Sequence, residues 1–403
     1  MRSNGYRSLP SSFPVSRRGF LQAGGAVGAG LLLGNPSAWA DQKDAAPARA
    51  KTNIDEALAV PRTGTSLPGP FPGRVVEVTD AGATFEDKPV PEAVDAMFRR
   101  GIGALTGKSD EESFQLLFRE NDVIGIKVNP VGAGLISTRL EVVDSIVAWL
   151  ERGGVPRSRI VIWDRFESML REAGYTEERY PGIRIEGLQT MDDAAASGES
   201  DDDSRWLRED GRHVSADNFD PDVFYWADVD APADDKQYLN QHVFNGKHSY
   251  FGKLVTRDLT KIINVPVFKN TGNGISMATK NIGYGAICNT GRLHQPLFFD
   301  VCTEVCAFPA VRDKMVLTVN DGLRGQYDGG PMPNASAVYT YNTLFLATDA
   351  FALDSACHDR MVERRKSAGV NVNEHPKYTE YLRYGERIGL GIADPARIEV
   401  VHA

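Results

Sequence analysis

The sequence predicts an α/β fold with a largely parallel open sheet and helices on both faces, and three observations carry that prediction. Residues 123–164 read strand, helix, strand. Val123-Ile124-Gly125-Ile126-Lys127-Val128-Asn129 is a short apolar run, Leu140, Val143, Val147 and Leu150 share a helical face, Gly153-Gly154 stops the helix, and Ile160-Val161-Ile162-Trp163-Asp164 is a second apolar run. A crossover of this length joins parallel strands, almost always in the right-handed sense. Further strand-length apolar runs follow at Ile183 to Leu188, Ile262 to Phe268, Met315 to Asn320, Leu344 to Thr348 and Ile398 to Val401. Helix-length stretches lie among them at Gly274 to Ile282, Pro296 to Phe308 and Phe351 to Arg365. Finally, 403 residues that are 42% hydrophobic and 25% charged can fill one large core or two moderate ones, which excludes disorder of the whole chain.

Along the chain, residues 1–40 carry Arg2, Arg7, Arg17 and Arg18 but no lysine and no acid. Ser16-Arg17-Arg18-Gly19-Phe20-Leu21 leads into an apolar run from Ala23 to Leu33, then Pro36 and the small-residue site Ala38-Trp39-Ala40. This resembles a twin-arginine signal peptide cleaved before Asp41. Its apolar run is about half of the roughly 20 residues that span a bilayer, so no stable membrane anchor is expected after cleavage. The implied partner during export is the Tat translocase, and the implied address is the periplasm or beyond. Residues 41–73, rich in Ala, Pro, Thr and Gly without period, read as a flexible tether, and residues 74–403 as the α/β domain.

Within that domain Arg74 to Val78 is a strand, and Val94, Met97, Phe98 and Ile102 mark a helix from Pro91 to Leu105. Ser109 with Glu112, and Thr138 with Glu141, read as capping boxes for the helices that follow them. Residues 191–236 are acid-rich, including Glu199-Ser200-Asp201-Asp202-Asp203, and read as an insertion docked by Phe224-Tyr225-Trp226. The acids lack the alternate spacing of an EF-hand loop, so a solvated surface excursion is the expectation.

The whole chain has 45 basic and 54 acidic side chains, net −9. Losing the signal leaves 41 basic against 54 acidic, net −13. Coating nucleic acid or an anionic membrane is therefore excluded as the main activity, and a charged partner must meet a local patch. The cysteines Cys288, Cys302, Cys306 and Cys357 are too few for a disulfide scaffold and form no Cys-x-x-Cys pair. P-loop, zincin, nucleophile-elbow and complete dinucleotide-binding motifs are all absent.

Five apolar runs end in a polar group: Asn129, Asp164, Lys269-Asn270, Asp321 and Asp349. Ligands of open parallel sheets bind outside the carboxyl ends of strands, so these ends define one crevice. The densest polar run, Lys269 to Asn281 followed by Gly283, Gly285 and Asn289 to His294, adds glycines for close approach, cations and a proton carrier. On an acidic protein it points to a small anionic ligand, a carboxylate or phosphate. The expected site has His294, Lys269 and Lys280 as catalytic residues, with Lys127, Asn129, Asn270, Asn273, Asn281 and Arg292 binding substrate. Asp321, Asp349 and Asp164 would hold a divalent metal ion or orient the base. Two other function classes remain open: a metal- or cofactor-carrying protein without turnover, and a redox protein using its cysteines.

The blocks Ile126-Lys127-Val128-Asn129, Ile263 to Lys269, Gly274-Ile275-Ser276 to Lys280-Asn281, Arg292-Leu293-His294, Asn320-Asp321-Gly322-Leu323 to Gly329-Gly330-Pro331, and Ala347-Thr348-Asp349 to Ala352-Leu353-Asp354 resemble, in order and spacing, the DUF362 family and its twin-arginine-exported members. The resemblance covers roughly Asp122 to Gly369. It implies an α/β domain and leaves the chemistry open. Relatives with an appended cysteine-rich ferredoxin-like segment differ from this chain, which has none. Many relatives carry a histidine shortly after the strand-end lysine; here Asn270-Thr271 follow it, which leaves His294 as the histidine of the site. A fainter similarity is to the N-terminal domain of lactate racemase, where lysines and histidines surround a nickel-bearing nucleotide cofactor.

Overall fold

The computed structural model describes residues 49–190, 215–229, 246–294 and 296–403. The chain enters through α1 (Ile54–Ala59), β1 (Arg74–Thr79), the hairpin of β2 (Thr84–Phe85) and β3 (Lys88–Pro89), α2 (Pro91–Thr106) and α3 (Asp110–Leu117). Val94, Met97, Phe98, Ile102 and Leu105 of α2 are buried at helical spacing, and the Ser109–Glu112 capping box forms as expected. The predicted crossover follows as β4 (Ile124–Val128), α4 (Leu140–Arg152) and β5 (Ile160–Phe166), then α5 (Glu167–Glu172) and β6 (Arg184–Gln189). Next come β7 (Phe219–Trp226), β8 (His248–Gly252), β9 (Lys261–Val265), β10 (Val267–Thr271), β11 (Gly274–Ile275) and α6 (Ala278–Gly285). The chain closes with α7 (Asp300–Ala307), α8 (Pro309–Arg312), β12 (Met315–Gln326), β13 (Val338–Ala347), α9 (Ala350–Ser367), α10 (Glu380–Arg387) and β14 (Glu399–His402).

The main sheet has the order β14-β1-β13-β12-β9-β4-β5-β6, with β10 and β11 attached beside β12. The pairings β12–β9, β9–β4, β4–β5 and β5–β6 are parallel, and along this path β13 alone runs against its neighbours. From β4 the chain steps outward to β5 and β6, then returns to lay β9 on the other side of β4. The order therefore reverses between β4 and β9, where the loops beyond the carboxyl ends diverge. One face is covered by α2 and α4 around Phe98, Val143, Ile146 and Trp149; the other by α6, α7 and α9 around Ile282, Val301, Cys302 and Phe351.

Several expectations are corrected. The run from Ile262 to Phe268 splits at Pro266, which lacks the N–H a continuous ladder needs; β9 pairs with β4, whereas β10 leaves β4 and pairs with β12 and β11. β12 does not stop at Asn320 but runs to Gln326, because β13 and β10 flank its second half. Gly274-Ile275 is a strand, and the helix starts at Ala278. Thr138 does not cap α4: its hydroxyl donates to the Val265 carbonyl and accepts from the Asn129 N–H. From residue 49 the expected tether packs on the body. Arg49 pairs with Glu304, and Ala57 and Leu67 are buried. Of the expected insertion, residues 191–214 and 230–236 lie outside the described residues. Residues 219–226 form a strand paired with β8, and its Tyr225 is buried and donates to Glu304 at 2.7 Å. Among the described residues no helix is long and apolar enough to cross a membrane.

Candidate functional site

A cluster of cations forms at the switch point between β4 and β9. Alternation along β4 turns Ile124, Ile126 and Val128 toward α4 and Lys127 toward α6. Lys127, 1% exposed, donates to Asp164 Oδ1 at 2.5 Å, to the Val128 carbonyl at 2.8 Å and to Asn281 Oδ1 at 3.2 Å. Room for it comes from Gly285 on α6, where a Cβ would stand 2.3 Å from Lys127 Cε. Asn129 donates to Asn281 at 3.3 Å and accepts from Lys269 Nζ at 3.0 Å. Asn281 is held in turn by Asn264 on β9 at 2.8 Å. The start of α6 is fixed by Asp354 on α9, which accepts from the N–H groups of Ala278 and Thr279 and from the Thr279 hydroxyl.

Lys280 and His294, both half-buried, complete the cluster. The Lys280 ammonium lies over the Tyr284 and Phe298 rings at 5.0 and 5.3 Å. His294 Nδ1 is 2.9 Å from the Thr290 carbonyl oxygen, which can only accept, so Nδ1 carries the proton and Nε2 the lone pair. The hydroxyl of the same Thr290 accepts from Arg165. Arg165, 6% exposed, also donates to Gln189 at 2.7 Å, and its Nη2 has no partner among the described residues.

Burial sets the proton affinities. Desolvation, then the charge of Lys280, pulls Lys269 down to about 7. Desolvation also lowers Lys127, opposed by Asp164, and lowers Lys280. His294 is pushed down to about 3 by burial and then by Lys280, so its imidazole is neutral at ordinary pH. Arg165 is lowered to about 10 by burial.

The structure brings together Lys127, Asn129, Asp164, Lys269, Lys280, Asn281 and His294 from the expected set. It spends the others elsewhere. Arg292 is a strut: its guanidinium donates to the carbonyls of Ala227, Val229 and Lys247 and to Ser249, tying the β7–β8 hairpin down. Asn270 closes a turn with Gly272 and Gly330, and Asn273 links to Tyr378 and Asn373. Asp321 accepts from the Arg139 and Leu323 N–H groups at the head of α4. Asp349 caps α9 and also takes the N–H groups of Gly73 and Ile392; because β13 runs antiparallel, its end lies on the opposite edge of the sheet.

The three aspartates thus serve three separate places. Asp164 is already engaged by Lys127, and among the described residues no group of three or more His, Cys, Asp or Glu side chains is arranged to hold a metal ion. The expected divalent ion does not fit these donors. The four cysteines are free and buried, and desolvation raises every thiol, Cys288 to about 12, which disfavours the reactive thiolate a redox role requires. The sequence reading missed Arg165 and Asn264, and named Gly285 and Thr290 within the polar run without giving either a role of its own. Arg165 follows Asp164 directly, and extending the period of β5 by one residue would have pointed it to the α6 face with Trp163. A cavity of about 740 Å³ lies elsewhere, between α2, α3 and α4, lined by Arg99, Asp110, Phe114, Arg119 and Trp149 among others. It holds none of the cluster residues.

A twin-arginine translocation pathway signal sequence matches residues 14–34, so the protein is exported by the Tat route to the periplasm or beyond. No curated protein and no solved structure matches the chain. A family model described as a domain of unknown function, DUF362, matches residues 124–359, more than half of the chain and every residue of the cluster. The protein belongs to the DUF362 family.

Proposed function

We propose that this exported protein is an enzyme acting on a small anionic molecule bound at the cluster of Lys127, Lys269, Lys280 and Arg165. One observation carries this reading: among the described residues, the ion pair of Lys127 with Asp164 is the one these buried or half-buried cations make. Unbalanced buried positive charge is costly, and a bound carboxylate or phosphate removes the cost. Lys280, which has no hydrogen-bond acceptor among the described residues, and the orphaned Arg165 Nη2 are the donors available to it. The proton carrier in this reading is Lys269 rather than His294. An amine held near 7 can both take and give a proton at working pH, whereas an imidazole held near 3 serves as a neutral hydrogen-bonding wall. No step is routed through a metal.

The test is thermal unfolding of the natively exported protein with malonate or phosphate. The melting temperature should rise with either anion and the rise should shrink sharply in Lys280→Met and Arg165→Met. An unchanged melting temperature in the wild type, or equal rises in the variants, would remove the reading. The depth of Lys127 and Lys269, each 1% exposed, favours a second reading in which the anion is carried without turnover. Native mass spectrometry that finds a stoichiometric anion, in protein inert toward a metabolite panel, would select it.

A further inference from the structure

We propose that Lys269 is a carbonyl-condensing nucleophile, and that the molecule bound at the cluster is a small 2-oxo acid whose carbonyl carbon forms an imine with Lys269 Nζ. This rests on the anion-binding reading above and goes beyond proton transfer. The three lysines differ in what holds them. Lys127 is fixed by the carboxylate of Asp164, the Val128 carbonyl and Asn281, so its charge is spent on structure. Lys280 is half-buried and faces two aromatic rings, which favour the ammonium. Lys269 is enclosed, and among the described residues its ammonium donates to a neutral amide oxygen, that of Asn129. Among the described residues no carboxylate pairs with it; burial and then the like charge of Lys280 lower its proton affinity, Asp164 opposes them, and Lys127 adds a smaller like charge. A desolvated amine beside other cations is the arrangement in which a lysine loses its proton and attacks carbonyls. Its proton affinity near 7 agrees.

The bound molecule then has two requirements that one functional unit meets. Its carboxylate answers Lys280 and Arg165, and its adjacent ketone meets Lys269. The Nζ lone pair adds to the carbonyl carbon, the C=O π pair moves to oxygen, and transfer of the nitrogen proton to that oxygen gives a carbinolamine. Protonation of its hydroxyl by the Lys280 ammonium lets water leave as the C=N bond forms; hydrolysis reverses each step. The imine draws electrons from the neighbouring C–H or carboxylate bond.

Incubation with pyruvate and sodium borohydride, followed by peptide mapping of the full exported chain, tests this. Hydride reduction of the imine should leave a stable secondary amine on Lys269, with labelling rising as pH passes through about 7 and falling when malonate competes. Lys269→Arg, which keeps a cation but cannot form the imine, should abolish labelling while malonate still raises its melting temperature. Labelling that lands on Lys280 or another lysine, or none at Lys269 while malonate still stabilises the wild type, overturns the imine and spares the anion site. Failure of both labelling and malonate stabilisation overturns both.

Discussion

The two faces of β4 are made by five consecutive residues and could hardly differ more. Toward α4 it presents Ile124, Ile126 and Val128, which join Val143, Ile146, Val147 and Leu150 in a wholly apolar contact. Toward α6 it presents Gly125, which faces Leu259 and Trp163, and Lys127, which meets Asn281 and the bare backbone of Gly285, next to Asn264 of the adjacent strand. The first face is ordinary close packing and stabilises by area removed from water. The second buries the Lys127 ammonium against Asp164, beside Lys269, which has no ion-pair partner among the described residues. Apolar packing and buried charge are thus separated across the thickness of one strand.

That separation makes predictions, the largest on the charged face. Lys127→Met leaves Asp164 buried without its partner and should cost about 3–5 kcal/mol in chemical denaturation. Pairing it with Asp164→Leu should recover most of that stability while anion stabilisation stays lost; failure to recover would mean Lys127 is held by packing rather than charge. On the other face, Ile126→Ala should cost about 2–5 kcal/mol through the cavity it opens, yet leave the response to malonate intact. A variant that lost both would join the two faces into one unit.

A smaller effect is expected from pH. Lys269 is depressed to about 7 in the folded protein, below its ordinary value near 10.4, so between those limits the unfolded chain binds the extra proton. Stability should therefore rise with pH across that window, by at most about 1.4 kcal/mol per unit for this one group. Lys127 and Lys280, also depressed, add in the same direction, so the share of Lys269 is the part lost in Lys269→Met. Anion binding should move oppositely, weakening as Lys269 loses its charge. A flat profile above pH 7 would return Lys269 to an ordinary ammonium. The least disruptive change is Gly285→Ala, where the new methyl must displace Lys127; about 1–3 kcal/mol is expected, with a disproportionate loss of malonate response.

Much of the architecture was legible in the sequence because each element carries its own signal. The Ser109–Glu112 box, the apolar run before Lys127 and the glycine stop at Gly153-Gly154 are local, and each forms as read. The candidate site was legible in part. Lys127, Asn129 and Lys269 follow or interrupt apolar runs, and parallel pairing carries such positions to a common edge. Asp349 has the same local appearance and goes elsewhere, because strand direction is not written in a strand's residues. Arg292 looked like a ligand donor and is a strut, since four carbonyl and hydroxyl oxygens from another segment reach it first. Arg165 gave no motif and Gly285 read only as one glycine of the polar run, as their parts depend on what lies across from them.

The sequence by itself determined the export signal, the alternation of strands and helices, the mature acidity and the basic run that stands out against it. These follow from local composition and periodicity, which act within a few residues. The tertiary structure decided which polar residues meet, which of them are already paired, and which buried lysine has no counter-ion among the described residues. Those are long-range facts: the order of strands places Lys127 and Lys269 together from 142 residues apart, and burial then lowers the proton affinity of both.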